Sequence, residues 1–216
     1  MEPLETQLLN LTPTPKSVTR RLTFAEYMEI ERLSPVKHDF VGGEMIEVAG
    51  ASTEHNTICG NVIGTLLLAA ASVGCRVLTS DQKVYISNRI IYYPDVTIAC
   101  GELLVAPGEA LQNPVLICEV LSPSTAAKDR GSKFAHCRTI NTLQHYVLIE
   151  QDEPSIEHWM RQSDGKWQLE SEHKEIADTW LLRLNGVEIP VALADVYRFV
   201  TFPPPAPEES DEKPER

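Results

Sequence analysis

Hydrophobic positions along the chain follow helical spacing in some segments and strand-like spacing in others. Apolar residues of the long segment 53–73 recur at helical spacing, and Gly74 suits the end of that helix. Thr23 and Glu26 match a capping box, which predicts the start of a shorter helix. Helices are expected over 23–33, 53–73, 129–139 and, with Pro190 at its start, 190–199.

Short apolar or alternating runs between these helices predict strands. Gly42 and Gly43 separate the first two runs and predict a two-residue hairpin turn. The strands are expected at 38–41, 44–48, 76–79, 83–86, 94–100, 115–121, 145–150, 155–161, 166–171 and 179–184. Strands interleaved with helices predict an α/β fold with a mixed sheet flanked by helices.

The 216 residues fit one domain of ordinary size. Residues 1–20 contain Pro but little periodicity, and we expect a flexible N-terminal arm there. Residues 21–200 form the predicted domain, and no internal repeat divides them. Residues 201–216 are rich in Pro and acidic residues, which predicts a disordered tail.

The net charge of −12 changes the expected partners. The last ten residues carry five acids and two bases, so the rest of the chain still holds −9. Proteins that bind DNA regardless of sequence gain most of their affinity from Lys and Arg on phosphates. The charge therefore argues against a large footprint on duplex DNA, although a local basic cleft remains compatible with it.

The cysteines and the apolar runs indicate a cytoplasmic protein. Five cysteines show no zinc-binding spacing, and most lie in apolar segments, as expected for small core residues in a reducing cytosol. The longest apolar run, 66–71, is too short to span a bilayer, and no signal peptide is recognised. We expect no membrane association.

Two of the predicted strands each carry one carboxylate in an apolar setting. Asp95 lies at the start of the strand 94–100, and Glu119 lies within 115–121. A buried acid costs several kcal/mol unless it is paired or bound to a metal, so two of them on neighbouring strands suggest a shared divalent cation. The alternative is that both are buried acids satisfied by backbone donors.

A set of short motifs surrounds these acids. They are Gly43-Glu44, His55, Pro94-Asp95, Glu119 to Thr125, Asp129-Arg130, Lys133-Phe134 and His145 to Ile149. In order and spacing the set resembles the Uma2 family, which has the restriction-endonuclease-like PD-(D/E)XK fold, and the resemblance covers about residues 20–200. It implies an α-β-β-β-α-β core with extra C-terminal strands.

The resemblance also implies a site for phosphodiester hydrolysis. Asp95 and Glu119 would hold Mg²⁺ or Mn²⁺, and Lys133 would orient a water or neutralise the phosphate. The general pattern places that lysine two residues after the glutamate, where this chain has Leu121. Lys133 on the following helix is the candidate replacement, and the alternative is a solvated i,i+4 pair with Asp129.

Two further residues enter the candidate site through the resemblance. Glu44 would be an additional catalytic acid, although an exposed carboxylate at a strand end is the alternative. His55 would contact phosphate or substrate, although a partly exposed polar residue in the first turn of a helix is the alternative.

Two functions remain open at this stage. One is a Mg²⁺-dependent endonuclease that acts on single-stranded or branched nucleic acid, where a small basic cleft suffices. The other is a nuclease-fold binding module without turnover, which the acidic charge and Leu121 favour. The oligomeric state is open as well, with a homodimer as one option.

Overall fold

Five α-helices and fourteen strands make up residues 21–204, the part of the chain that the computed structural model describes. The predicted arm 1–20 and most of the predicted tail, 205–216, lie outside the described residues. The helices are α1 (Phe24–Leu33), α2 (Thr53–Ser72), α3 (Ala126–Lys128), α4 (Phe134–Cys137) and α5 (Leu193–Val196), with a π-helical turn (Asp129–Lys133) between α3 and α4. Within this part of the chain, no helix has the length and apolar character needed to cross a membrane.

The strands form two six-stranded sheets and one separate hairpin. In chain order they are β1 (His38–Val41), β2 (Glu44–Glu47), β3 (Cys75–Thr79), β4 (Val84–Ser87), β5 (Ile90–Tyr92), β6 (Val96–Cys100), β7 (Val105–Ala106), β8 (Ala110–Leu111), β9 (Leu116–Leu121), β10 (His145–Glu150), β11 (Ile156–Arg161), β12 (Trp167–His173), β13 (Thr179–Leu184) and β14 (Val187–Ala192). The central sheet has the order β12-β11-β10-β9-β6-β3, and the second has the order β2-β1-β5-β4-β8-β7. Strands β13 and β14 pair only with each other among the described strands.

The central sheet carries the core of the fold. Strands β3, β6 and β9 are antiparallel neighbours, and β10 runs parallel to β9 after the helical segment that contains the π-helical turn. With α2 before β3, this is the predicted α-β-β-β-α-β core, and β11 to β14 are the predicted additional strands. A parallel pair needs a crossover connection, which the helical segment between β9 and β10 provides.

Strand β9 is buried on both faces, and its side chains alternate between two cores. Cys118 and Val120 pack in the cluster that includes α2, whereas Ile117 and Leu121 pack in the cluster that includes α4. Because successive side chains of a strand point to opposite faces, Glu119 points to the same face as Ile117 and Leu121. The strand therefore aims one carboxylate at the helix that follows it.

The second sheet positions the N-terminal hairpin beside this core. The predicted turn at Gly42 and Gly43 is confirmed, with φ values of +64° and +96° that glycine adopts without a steric cost. Strand β1 buries Phe40 against Tyr27 of α1, with ring centroids 4.6 Å apart. It also buries Asp39, which is 3% exposed.

The predicted helix 190–199 is wrong. Residues 187–192 form β14, in which Pro190 lies opposite Leu181, and only Leu193–Val196 is helical. Proline lacks an N–H but is tolerated on an edge strand, and β14 pairs only with β13 among the strands of residues 21–204. The burial of Ile189 and Val191 gives β14 the alternation of a strand.

Two cysteines also depart from the expectation that they are reduced core residues. Cys75 and Cys100 form a disulfide, whereas Cys59, Cys118 and Cys137 are free. The disulfide links β3 to β6, where the two cysteines lie directly opposite each other. The two cysteines are 25 residues apart in sequence, so this pairing cannot be predicted without the strand register that places them opposite each other.

A buried relay of three rings ties the β13–β14 hairpin to the central sheet. Trp180 Nε1 donates to His158 Nδ1 at 3.2 Å, and His158 Nε2 lies 2.9 Å from His145 Nδ1. Because the indole N–H can only donate, His158 Nδ1 must accept and His158 Nε2 must carry the proton. Burial accordingly lowers the pKa of His145 to about 4, and burial together with His145 lowers that of His158 to about 3.

This relay predicts a loss of stability in mild acid. In the unfolded chain these histidines bind protons below about pH 6.5, whereas in the folded chain they bind protons only below about pH 4. The free energy of unfolding is therefore unaffected by them above about pH 6.5 and declines as the pH falls below that value. By pH 5 the free energy of unfolding should fall by about 2 kcal/mol for each histidine. Urea unfolding between pH 7.5 and 5 measures this fall. His158→Gln removes one of the two histidines, so its free energy of unfolding should depend less on pH. A wild type whose free energy of unfolding is constant over this range would contradict the prediction.

Candidate active site

Asp95 lies at the point where the central sheet and the start of α2 meet. It immediately precedes β6, and because Val96 lies opposite Cys118, the antiparallel register places Asp95 beside residues 119 and 120. The Val120 N–H donates to Asp95 Oδ2 at 2.8 Å. His55 Nε2 lies 3.2 Å from the same oxygen. The carboxylate is therefore held by β9 and α2 together.

His55 and Cys59 stand on one face of α2, one turn apart. The Ser52 hydroxyl caps the helix by accepting from the His55 N–H at 3.0 Å, which fixes the first turn. Cys59 Sγ lies 3.5 Å from His55 Nδ1. Burial lowers the pKa of His55, but the hydrogen bond and charge of Asp95 outweigh it and leave that pKa above its ordinary value. Burial and the charges of Asp95 and Glu119 raise the pKa of the Cys59 thiol.

Glu119 forms a buried ion pair with Lys133. The distance from Lys133 Nζ to Glu119 Oε1 is 2.7 Å, and the two side chains are 6% and 3% exposed. Burial raises the pKa of Glu119 well above its ordinary value, and the charge of Lys133 offsets this only in part. Burial lowers the pKa of Lys133, but the charges of Glu119 and Asp129 outweigh it, so Lys133 keeps its proton.

The π-helical turn brings Lys133 and Asp129 to the sheet. Lys133 Nζ lies 3.6 Å from Asp129 Oδ1, and both side chains are almost fully buried. The alternative of a solvated surface pair is therefore wrong. Single π-helical turns within α-helices are frequent at functional sites, because they redirect side chains that a regular helix would place elsewhere.

A second ion pair, which the sequence did not reveal, lies beside the first. Lys128 Nζ contacts Asp39 Oδ2 at 2.6 Å, and the Tyr93 N–H donates to Asp39 Oδ1 at 2.9 Å. The ring centroid of Tyr92 lies 5.4 Å from Lys128 Nζ and 5.5 Å from Lys133 Nζ. Lys128 belongs to α3, and its side chain is 33% exposed, against 6% for Lys133.

The cluster holds more negative than positive charge. Its acids are Asp39, Asp95, Glu119 and Asp129, and its lysines are Lys128 and Lys133. When all four acids are ionised, the excess is two negative charges with His55 neutral and one with His55 protonated. Uncompensated charge in such a setting is costly. The raised pKa of Glu119 follows from this imbalance as well as from burial.

Glu44 lies elsewhere in the second sheet. It begins β2 with a side chain that is 62% exposed and 3.7 Å from Arg21. Ion pairs join His55 to Asp95 and Lys133 to Glu119 at the central sheet. Among the described residues, Glu44 has no ion pair with any of these four side chains. Asp39, five residues earlier, is the acid that the N-terminal hairpin buries next to Lys128.

Comparison with known proteins agrees with this architecture. Residues 24–192 match the model of the Uma2 family, described as "Putative restriction endonuclease". Two relatives come from Synechocystis sp. "Uncharacterized protein sll1609" is 37% identical over 156 residues, which cover 71% of this chain and 88% of the relative. "Uncharacterized protein slr1290" is 29% identical over 191 residues, which cover 88% and 98%.

A solved structure shares the fold. It is described as a "putative nuclease belonging to DUF820" from Anabaena variabilis, and it superposes with a TM-score of 0.64 over 83% of this chain and 99% of that chain. The sequence identity is 13%, so this likeness establishes the restriction-endonuclease-like architecture and not the chemistry of the site.

Proposed function

Because the chain belongs to the Uma2 family, we propose that it is a divalent-metal-dependent endonuclease that hydrolyses phosphodiester bonds in nucleic acid. The observation that carries the proposal is the buried Glu119–Lys133 pair next to Asp95, within a cluster that has too little positive charge. Such a strongly perturbed group of acids and a lysine is characteristic of functional sites.

The donor set fits a divalent ion. Asp95 directly precedes β6 and Glu119 lies in the neighbouring β9, and a divalent cation would add positive charge to a cluster in which four acids face two lysines. Carboxylate oxygens are the ligands that Mg²⁺ and Mn²⁺ prefer. We therefore assign Asp95 and Glu119 as the residues that would hold Mg²⁺ or Mn²⁺. When bound, the ion would act as a Lewis acid and lower the pKa of a coordinated water.

The side chains of this site would then act on the phosphate directly. Lys133, kept charged by Glu119 and Asp129, would stabilise the negative charge that builds up on the phosphate oxygens. His55, whose pKa is raised by Asp95, would donate a hydrogen bond to the substrate. Glu44 stays a proposed additional acid, although its side chain is 62% exposed and has no ion pair with this cluster among the described residues.

The proposal is tested by cleavage of end-labelled single-stranded, branched and duplex DNA by the full chain with Mg²⁺ or Mn²⁺. We expect cleavage that EDTA abolishes and that is faster on single-stranded or branched substrates than on duplex. No cleavage of any substrate with either ion would contradict it and would favour the non-catalytic binding module, whose supporting observation is the apolar Leu121 at the usual lysine position.

Affinity for random duplex DNA should be weak and should depend little on salt. The net charge of −12 leaves few cations for phosphate contacts. Since each contact contributes about −0.9 to the slope of log K against log salt, we expect a slope of about −3 or shallower. Fluorescence anisotropy with a labelled duplex at several salt concentrations measures it. A much steeper slope of log K against log salt, which would indicate many phosphate contacts, together with tight binding at physiological salt would contradict this expectation.

A further inference from the structure

The α2 side of Asp95 carries a second set of metal ligands. His55, Cys59 and Asp95 each offer one ligand atom, and these three atoms all lie within 4.8 Å of one another. Contrary to the expectation that no cysteine has a zinc-binding spacing, His55 and Cys59 are four residues apart on one helix face, the spacing by which helices present two ligands to one ion. Asp95 is fixed toward them by the Val120 N–H.

These donors differ in kind from those of the carboxylate site. Imidazole and thiolate suit Zn²⁺ and Co²⁺, whereas Mg²⁺ takes oxygen ligands almost exclusively. Three protein ligands from nitrogen, sulfur and oxygen, with a remaining position for water, make up a set typical of zinc sites that are not purely structural. His55 would bind through one ring nitrogen only: Nε2 lies 3.2 Å from Asp95 Oδ2, whereas Nδ1 is the nitrogen next to Cys59 Sγ. With one ligand atom from each residue, all three lie within 4.8 Å of one another, and a tetrahedral zinc ion would need them to close to about 3.3 to 3.8 Å.

Cys59 is also the cysteine best suited to bind an ion from solvent. Of the three free cysteines, Cys118 and Cys137 are fully buried in the cores, and Cys59 is only partly buried. The neighbouring carboxylates Asp95 and Glu119 favour a cation at this place and disfavour a bare thiolate. Binding would therefore replace the thiol proton, released to solvent, with the metal.

We propose that His55, Cys59 and Asp95 form a zinc-class site, and that an ion bound there inhibits the nuclease by withdrawing Asp95 from the Mg²⁺ site. The binding part stands on the geometry of the three ligands alone. The inhibitory part rests on the proposed nuclease function, because it requires Asp95 to serve both ions.

The binding part is tested with Co²⁺ as an absorbing substitute for zinc. One equivalent of Co²⁺ added to the full chain should produce thiolate-to-cobalt charge-transfer absorption in the near ultraviolet, and Zn²⁺ should remove it. Cys59→Ser should lose this absorption and bind Zn²⁺ at least about tenfold more weakly. Cys137→Ala, at another free cysteine, and Glu119→Gln should both retain the absorption. Absence of the band in the wild type, or its persistence in a folded Cys59→Ser variant, would overturn the site.

The inhibitory part is tested by titrating Zn²⁺ into Mg²⁺-dependent cleavage. Inhibition of the wild type should require at least about tenfold more Zn²⁺ in Cys59→Ser, with basal turnover measured first for each protein. Equal inhibition of both proteins would overturn the competition while leaving the binding result intact. A protein that shows the cobalt band but no cleavage would retain the zinc site and refute the nuclease.

Discussion

Lys133→Met should lower phosphodiester turnover by at least about a hundredfold. The ammonium is held at 2.7 Å from Glu119 and 3.6 Å from Asp129, so its charge is fixed beside the acids that would carry the metal. Leu121 occupies the same face of β9 two residues beyond Glu119, which leaves Lys133 as the cation closest to that carboxylate among the described residues. Cleavage of the best substrate under saturating Mg²⁺ measures the effect.

The same substitution should also change stability and its pH dependence. Removing one partner of a buried ion pair costs about 3 to 5 kcal/mol, because the other charge stays buried without compensation. Without Lys133 the pKa of Glu119 in the folded state rises further. Above the ordinary pKa of a glutamate, the folded state then keeps a proton on Glu119 that the unfolded state has released. The variant should therefore lose more stability than the wild type as the pH rises, whereas the loss in acid from the histidine relay should be the same in both proteins.

Lys166→Met provides the matched control, because Lys166 is a lysine on an exposed turn paired only with Asp164 among the described residues. Its turnover and unfolding should match the wild type. Lys128→Met should cost less turnover than Lys133→Met, since Lys128 contacts Asp39 and not Glu119. A Lys133→Met protein that cleaves as fast as the wild type would remove Lys133 from the catalytic site.

Glu119→Gln should abolish detectable turnover, with a loss of at least about a hundredfold. The substitution keeps the shape of the side chain but removes the charge that the proposed ion and Lys133 both need. Asp129 stays within 3.6 Å of Lys133, so the lysine keeps one acidic partner and the fold should persist. Single-turnover cleavage together with urea unfolding separates lost chemistry from lost structure.

Glu170→Gln on β12 serves as the control for this change, because it removes an exposed carboxylate from the same central sheet. It should leave turnover unchanged. Residual activity in Glu119→Gln within a few fold of the wild type would show that another group holds the ion.

Much of the fold follows from local patterns in the sequence. The capping box at Thr23 and Glu26, the glycine hairpin and the long apolar stripe of α2 each have a local cause and are confirmed. The prediction of a helix starting at Pro190 is wrong because proline is compatible both with the first position of a helix and with an edge strand. The hairpin partner that decides between them, β13, lies across a turn.

The candidate site was only partly accessible from sequence, because its remaining parts depend on tertiary contacts. Apolar flanks predict both Asp95 and Glu119 as buried acids, and the structure buries Glu119, whose side chain is 3% exposed, but leaves Asp95 19% exposed. Asp39 lies in a strand whose other residues give no sign of its ion pair with Lys128. The π-helical turn has no periodicity that distinguishes it from a regular helix, so the burial of Asp129 and Lys133 could not be predicted. The proximity of Cys59 to Asp95 likewise depends on how α2 packs on the sheet.

Calorimetric titration with Mn²⁺ tests the central claim, that Asp95 and Glu119 hold one catalytic divalent ion, most directly. The wild type should bind Mn²⁺, and Asp95→Asn should bind it at least about tenfold more weakly, because the amide cannot replace the charge of the carboxylate. Asp152→Asn makes the same chemical change at an exposed acid beyond β10 and should bind as the wild type does. Equal affinity of the wild type and Asp95→Asn would contradict the metal site.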